Sequence, residues 1–316
     1  MGTKVWALLT VDLGEKSSWT SHVASRDGRA RLPLLVFFRG QRVSAMRDEA
    51  LRVLTALYEA VAAVAPRWEV VPLFEFCGWS RQTIVERFNV DSFEEVRPEC
   101  DQRELSPEWK SRLLPLCTVE PEVEGCSTSY SPMDEVCVGG TFDRLHAGHR
   151  LLLSATVAVC DKTIFVGITA DVLLAKKKNR ELLEPYEVRK GCVEDFIRAM
   201  NPNLKVAVGV LDDVSRAPMP KEFFIQVASG ELGLHDPGAV TSASMDGIVV
   251  SRETVAGAKS INDEREKANY KALVVIPVNL VGATSQEGDA KKLSSSDLRQ
   301  MDSVSQARGA KGESAP

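Results

Sequence analysis

The sequence predicts an α/β protein with a Rossmann-like, doubly wound parallel sheet in its C-terminal domain and a smaller N-terminal α/β domain. From residue 134 onward, short apolar runs alternate with helical stretches. This alternation is typical of a parallel sheet that helices cover on both faces. Before residue 93, fewer apolar runs flank one long amphipathic stretch. The length of 316 residues also suits two domains, at about 150 residues per domain.

The C-terminal strands are predicted from apolar runs that begin and end at polar residues or glycine. These runs cover 136–138, 163–169, 205–211, 247–251 and 272–278. Helices are expected over 148–159, 186–200, near 220–230 and over 255–270. Ligands of doubly wound sheets bind at the carboxyl ends of the strands, so we expect the site at that edge.

The N-terminal part is predicted to contain strands over 4–11, 32–38 and 68–76 and a helix over 47–64. The helix presents one apolar face, formed by Leu51, Leu54, Leu57 and Val61. Pro72 interrupts the third strand and therefore places it at a sheet edge. No motif in the first 130 residues indicates chemistry, so a structural or oligomerising role is expected.

The predicted division of the chain is an N-terminal appendage over 1–93, a connector over 94–133, a main domain over 134–300 and a tail over 301–316. The connector is rich in Glu, Pro, Ser and Cys. The tail lacks apolar periodicity, which favours disorder.

Composition excludes several classes of protein. With 39 basic and 44 acidic residues, the chain has a net charge of −5, whereas proteins that coat nucleic acids need a basic face. Seven cysteines without a CxxC pair indicate reduced thiols and a cytoplasmic location. No apolar run reaches the roughly 18 residues needed to span a bilayer, and a secretory signal pattern is not expected.

The segment GGTFDRLHAGH, residues 139–149, follows a predicted strand and leads into a helix. Gly139 and Gly140 are expected to permit positive φ and the close approach of a phosphate. The free N–H groups and the dipole of the first helical turn attract an anion. His146 and His149 lie on one face of that turn and can donate to phosphate oxygens.

Several interpretations of this segment compete. Thr141 adds a hydroxyl donor nearby, and two of the four histidines of the chain fall in this turn, which favours phosphate binding. A metal site and a simple capped helix terminus are the alternatives. The metal alternative is weak because no further ligands have a suitable spacing, so no metal site on the protein is expected.

A second segment, KLSSSDLR over 292–299, follows the last predicted strand. It places Ser294, Ser295 and Ser296 ahead of Arg299. On its own, this pattern is an ordinary helix cap followed by an exposed arginine. Together with the first segment, it indicates a second phosphate-binding helix start.

The first segment resembles the GxFDxxHxGH signature of the HxGH nucleotidyltransferase superfamily, and KLSSSDLR resembles its ISSTxxR motif. Residues 136–300 are similar to the eukaryotic and archaeal type of phosphopantetheine adenylyltransferase. The stretches that carry the similarity are GGTFDRLHAGHRLLL, VGITADVLLAKKKNRELLEPYEVR, IVVSRET and SINDEREK. The RTxGxST turn of cytidylyltransferases and the GxxxxGK[ST] loop of the kinase in bifunctional relatives are absent from the sequence.

The resemblance implies a role for each motif residue. His149 would bind the α-phosphate of ATP, with His146 beside it, and Thr141 would orient the acceptor phosphate. Lys176 or Lys177 would neutralise the transferring group, although the KKKNR run on its own favours a solvated loop. The implied ATP-binding set is Gly139, Gly140, Phe142, Gly148, Ser294, Ser295, Ser296 and Arg299. The implied substrate-binding set is Thr141, Asp143, Lys176 and Arg252, and Arg265 is a weaker candidate.

The resemblance further implies transfer of the adenylyl group of ATP to 4′-phosphopantetheine, which gives dephospho-CoA and pyrophosphate in the penultimate step of coenzyme A biosynthesis. Mg²⁺ would be bound through the ATP phosphates. No covalent enzyme intermediate is expected, because the acceptor phosphate is itself the nucleophile. The alternatives are another HxGH transferase that uses CTP or acts on a nicotinamide or flavin mononucleotide, and a binding scaffold that retains the nucleotide fold.

Overall fold

The computed structural model describes residues 5–12, 23, 32–39, 45–65, 67–95, 133–175, 177, 179–211, 242–279, 281 and 295–312. These residues form two separate parallel sheets, one of four strands and one of five. The α/β class that the sequence predicts is confirmed.

The N-terminal sheet contains four strands: β1 (Val5–Asp12), β2 (Leu34–Arg39), β3 (Val70–Phe74) and β4 (Asn89–Glu95). Their order is β3–β2–β1–β4, so Pro72 lies on an edge strand as predicted. Helix α1 (Ala45–Val64) connects β2 to β3, and helix α2 (Arg81–Arg87) connects β3 to β4.

Helix α2 and strand β4 were not predicted from the sequence. Helix α2 is short and buries only Ile84, so no apolar stripe marks it. It begins where the Ser80 hydroxyl accepts from the backbone N–H of Thr83 at 3.2 Å, a local capping contact. Strand β4 leaves Phe93 47% exposed and lacks the continuous apolar run of a central strand.

The C-terminal sheet contains five strands: β5 (Met133–Gly140), β6 (Cys160–Thr169), β7 (Lys205–Leu211), β8 (Gly247–Ser251) and β9 (Val274–Val278). Their order is β7–β6–β5–β8–β9. Strands β6 and β7 lie on one side of β5, and strands β8 and β9 lie on the other. The point of reversal lies beside the carboxyl end of β5, where ligands of doubly wound sheets bind.

Four helices accompany this sheet: α3 (Ala147–Val159), α4 (Tyr186–Met200), α5 (Val255–Lys267) and α6 (Ser295–Gly312). Helix α6 continues through most of the segment expected to be a disordered tail, and this corrects the expectation for 301–312. The segment is polar, but Asp302 in its second turn is held by Arg67 and Arg144. Charged contacts therefore hold the first turns of α6, which the pattern of apolar residues does not predict.

Several predictions fall wholly or partly outside the described residues. The predicted helix near 220–230 and residues 96–132 and 313–316 lie outside them. The two ends of the predicted connector are strand, since β4 reaches Glu95 and β5 begins at Met133. Within the described ranges, no helix combines the length and apolar character that crossing a membrane requires.

The two sheets share one hydrophobic core through helices α1 and α3. The buried Tyr58 hydroxyl of α1 donates to the Val70 carbonyl at 3.2 Å and lies 3.0 Å from Ser154 Oγ of α3. Burial raises the pKa of Tyr58 above its ordinary range, so the phenol stays neutral. The N-terminal unit thus packs directly on the helix that follows the first motif.

Candidate active site

The first motif forms the turn between β5 and α3. Its positive φ angles fall on Phe142 (52°) and Arg144 (49°), whereas Gly139 and Gly140 are the last residues of β5. The expectation that the glycines supply positive φ is therefore wrong. Gly140 instead leaves space for Phe142, because a Cβ there would lie 3.1 Å from Cζ of Phe142, tighter than an ordinary contact.

The buried Phe142 ring in turn packs beside His149, with 5.4 Å between the ring centroids. His149 also stacks on His146, with centroids 3.9 Å apart and planes inclined by 25°. The two imidazoles and the phenyl ring thus form one packed group at the start of α3. The absence of a side chain at Gly140 makes room for this group.

His146 is the N-cap of α3, and its Nδ1 accepts a hydrogen bond from the Gly148 N–H at 3.2 Å. A nitrogen that accepts carries a lone pair, so the neutral ring has its proton on Nε2 and can donate from there. A Cβ on Gly148 would lie 3.1 Å from Cε1 of His146. The H-x-G-H spacing therefore has a steric reason: glycine leaves room for the first imidazole to fold back over the helix start, and a Cβ there would press on that ring.

The second motif meets the first through helix α6. Ser295 Oγ donates to the Asp143 carbonyl at 3.0 Å, and the Arg299 guanidinium forms an ion pair with the Asp143 carboxylate. Arg299 also donates to Ser296 Oγ at 2.9 Å. Ser294 lies outside the described residues. The starts of α3 and α6 are thus joined at one edge of the sheet.

Asp143 is completely buried, and both carboxylate oxygens are engaged. Oδ2 pairs with Arg299, while Oδ1 accepts from the Glu184 N–H at 3.0 Å and from Arg144 at 3.2 Å. Asp143 therefore links the two motifs and does not present a free carboxylate to substrate, which corrects its expected substrate-binding role. The Arg299 charge, expected to act on ATP, is likewise paired and 2% exposed.

Arg189 of α4 is a buried cation that the sequence analysis did not assign. It donates to the carbonyls of Thr141 (2.6 Å), Thr169 (2.9 Å) and Glu184 (2.9 Å), and it pairs with Asp171 at 2.6 Å. It thereby fixes the backbone just after β5 and at the end of β6. A signal was available, because an arginine on the apolar face of an amphipathic helix must find buried partners.

The two lysines and Arg252, which were predicted to bind substrate or the transferring group, follow different strands. Lys177 is exposed in the loop that follows β6, and its backbone N–H donates to the Leu174 carbonyl at 3.0 Å. Lys176 lies outside the described residues. Arg252 is exposed in the single turn after β8, at the same edge of the sheet as the motifs.

Arg265 is not a site residue. Its guanidinium donates to the carbonyls of Lys271 at 2.8 Å and Ser242 at 2.9 Å. Both carbonyls precede strands β9 and β8, so Arg265 lies at the amino ends of the sheet, opposite the motifs. Its side chain is completely buried there, and that position makes it part of the fold.

Comparisons with known proteins agree with this geometry. The cytidylyltransferase-like family model matches residues 137–301, more than half of the chain. The phosphopantetheine adenylyltransferase of Methanopyrus kandleri is 32% identical over 165 residues, which are 52% of this chain and 88% of that protein. The chain belongs to the cytidylyltransferase-like family and, more narrowly, to the phosphopantetheine adenylyltransferase family.

A eukaryotic member of the phosphopantetheine adenylyltransferase family is similar as well. The enzyme of Saccharomyces cerevisiae is 34% identical over 57% of this chain. The chain spans about half the length of the fungal relatives it matches, 52% of that enzyme and 46% of an uncharacterized protein of Schizosaccharomyces pombe. The family match includes both motifs and begins at Cys137, so the N-terminal sheet lies outside it.

Proposed function

We propose that this chain transfers the adenylyl group of ATP to 4′-phosphopantetheine, giving dephospho-CoA and pyrophosphate. One observation carries the proposal: the starts of helices α3 and α6 are joined through Asp143, Ser295 and Arg299. Two helix starts at one sheet edge offer backbone N–H groups and positive dipole ends to a single polyphosphate. Membership of the phosphopantetheine adenylyltransferase family supports the choice of nucleotide and acceptor.

The imidazoles act as donors to the nucleotide in this proposal. Because His146 Nδ1 accepts from the Gly148 N–H, the ring proton is on Nε2, and this Nε2–H donates to the ATP phosphates in the proposal. His149, stacked against it, donates to the α-phosphate. Thr141 orients the acceptor phosphate, and Arg189 holds the Thr141 carbonyl in place. A lysine of the loop after β6 neutralises charge on the transferring group.

The reaction is an in-line displacement. An oxygen of the acceptor phosphate attacks the α-phosphorus of ATP, the bond from that phosphorus to the bridging oxygen of the β-phosphate breaks, and pyrophosphate leaves with the electron pair. The nucleophile is already an anion, so no general base is needed. Rate enhancement comes from holding two anions in line and from stabilising the charge on the α-phosphoryl oxygens.

Mg²⁺ enters this reaction bound to ATP in our proposal. Among the described residues, no group of three or more His, Cys, Asp or Glu side chains is placed to hold a metal ion. Phosphate oxygens and water are the ligands that Mg²⁺ prefers in nucleotide sites. The protein would then position the ion through the phosphates that His146 and His149 bind.

We also propose that the reaction takes place in the cytoplasm, without a nucleic-acid partner. Cys77, Cys137, Cys160 and Cys192 are free thiols, as expected for a reducing compartment. Fractionation of cells with an antibody to the chain tests the location. Recovery with a membrane or organelle fraction would contradict it.

The purified full chain, supplied with ATP, Mg²⁺ and 4′-phosphopantetheine, tests the proposed function. The expected result is stoichiometric formation of dephospho-CoA and pyrophosphate, followed by chromatography and mass spectrometry. Parallel reactions contain CTP in place of ATP, or nicotinamide or flavin mononucleotide in place of the acceptor. Turnover only in a parallel reaction would replace the proposal with that transferase. Nucleotide binding without any turnover would support a scaffold.

A further inference from the structure

Arg67 connects the N-terminal unit to the second motif. It follows helix α1, and its guanidinium donates to the Leu298 carbonyl at 2.9 Å and to Asp302 Oδ1 at 2.6 Å. Leu298 and Asp302 are in the first two turns of α6. A side chain outside the family match thus holds the helix whose start is proposed to bind ATP.

Asp302 extends the connection to the first motif. Its other oxygen, Oδ2, accepts from Arg144 Nε at 2.7 Å. Arg144 adopts a φ of 49° in the turn before α3, and its N–H donates to Glu184 Oε2 at 2.6 Å. One carboxylate therefore joins three parts of the molecule: the N-terminal unit, helix α6 and the turn of the first motif.

The first half of helix α6, residues 295–303, depends on such contacts because its packing is sparse. Only Leu298 and Arg299 are buried there, so no wide apolar stripe orients this part of the helix against the sheet. Its orientation is instead fixed by directional bonds to Asp143, Arg67 and Arg144. Arg67 is the member of this set that comes from outside the family match.

Asp302 stays ionised at neutral pH, so its ion pairs with Arg67 and Arg144 persist there. Partial burial tends to raise the pKa of Asp302, but hydrogen bonds and charge from Arg144 and Arg67 lower it below its ordinary value. The Arg67 side chain is 49% exposed. An ion pair that exposed contributes little to overall stability, so its loss should leave the fold intact.

We propose that Arg67 is a positioning residue through which the N-terminal unit sets the placement of helix α6 at the nucleotide pocket. This inference rests on the proposed function in one respect, namely that the start of α6 binds ATP. Hydrogen bonds weaken steeply as their geometry departs from the optimum, so a displaced helix start holds a phosphate less well. Loss of Arg67 should therefore weaken ATP binding while the fold stays intact.

The test compares Arg67→Ala and Arg67→Lys with Arg87→Ala in the full chain. Arg87 is a matched control, because it also belongs to the N-terminal unit and donates across to the C-terminal unit, to the Arg198 carbonyl at 3.2 Å. Its partner is at the end of α4, away from both motifs. The dissociation constant of MgATP is measured by calorimetry, together with KM for each substrate, kcat and the thermal midpoint.

Arg67→Ala is expected to raise the dissociation constant and KM for ATP by about two- to fivefold, with KM for 4′-phosphopantetheine and the thermal midpoint close to those of Arg87→Ala. Arg67→Lys should recover part of the loss, since an ammonium can still pair with Asp302. Adding Arg67→Ala to Asp302→Asn should cost less than the two single changes combined. A general loss of stability would not split the two KM values.

An ATP affinity for Arg67→Ala within twofold of the control, or the same loss in Arg87→Ala, would overturn the inference. Failure of the proposed function has a different signature. In that case the unaltered chain binds MgATP but forms no dephospho-CoA, and the effect of Arg67→Ala on ATP binding is still measured. If the unaltered chain does not bind MgATP, both proposals fail.

Discussion

The carboxylate of Asp143 and the guanidinium of Arg299 form a buried ion pair across 156 residues of sequence. The pair joins the turn before helix α3 to the first turns of helix α6. Each partner satisfies a charge that burial would otherwise penalise heavily. The relative placement of the two motifs therefore depends on this contact.

Removal of one partner should be strongly destabilising. We expect Asp143→Ala to lower the free energy of unfolding by about 3 to 5 kcal/mol, because it leaves the Arg299 charge buried without its carboxylate. Urea denaturation measures the change. The double variant Asp143→Leu with Arg299→Met should recover a large part of the loss. A loss below about 1 kcal/mol in Asp143→Ala would show that the pair is solvated.

His149→Ala should separate catalysis from folding. The side chain is only partly buried, so the thermal midpoint should change little, while kcat falls by about 100- to 1000-fold as a donor to the developing charge is lost. Steady-state assays of dephospho-CoA formation measure the rate. Cys192→Ser, at an exposed position of α4, is the control with unchanged activity. An unchanged rate in His149→Ala would contradict the proposed mechanism.

Gly148→Ala should lower activity without lowering helix stability. Alanine favours a helix over glycine by about 1 kcal/mol, but its Cβ would lie 3.1 Å from Cε1 of His146 and displace that ring. Gly191→Ala is the matched control, because α4 has open space at that Cβ position. We expect Gly191→Ala to raise stability with full activity. Equal kcat values for the two variants would contradict the steric role of Gly148.

Glu59 should make the stability of the protein depend on pH. Burial raises its pKa from 4.5 to about 7, so the folded state retains a proton that the unfolded state loses. Its contribution is therefore fully present below pH 4.5 and is lost as the pH rises through about 7. Glu59→Gln removes the titrating group, so the stability of the variant relative to the unaltered chain should rise between pH 4.5 and about 7. Chemical denaturation at a series of pH values measures the difference, and parallel curves would contradict it.

The sequence predicted most strands of the C-terminal sheet and the long helix α4 well. Strands β6, β7, β8 and β9 and helix α4 lie where apolar runs and amphipathic periodicity placed them. These elements are buried on one or both faces, so their hydrophobic pattern is strong. Helix α2 and strand β4 have little buried surface and left no comparable pattern.

The sequence also identified both motifs but misjudged how their residues act. The glycines were expected to provide positive φ, whereas they provide space for Phe142 and His146. Asp143 was expected to face substrate, whereas it is completely buried against Arg299. Spacing along the chain shows which residues are near one another locally, but it carries no information on the partner that burial will select.

The sequence by itself determined where the buried strands lie along the chain and where the helix with the paired histidines starts. It also determined the family to which the C-terminal half belongs. Local periodicity and motif spacing are properties of neighbouring residues, so the sequence alone reveals them. Only the tertiary structure decided that Arg189 clamps the ends of β5 and β6, and that Arg67 reaches helix α6. Those contacts join residues far apart in the chain. The Arg67 contact exists because packing of α1 against α3 brings the two sheets into one core, whereas the Arg189 contacts form where α4 packs beside β5 and β6.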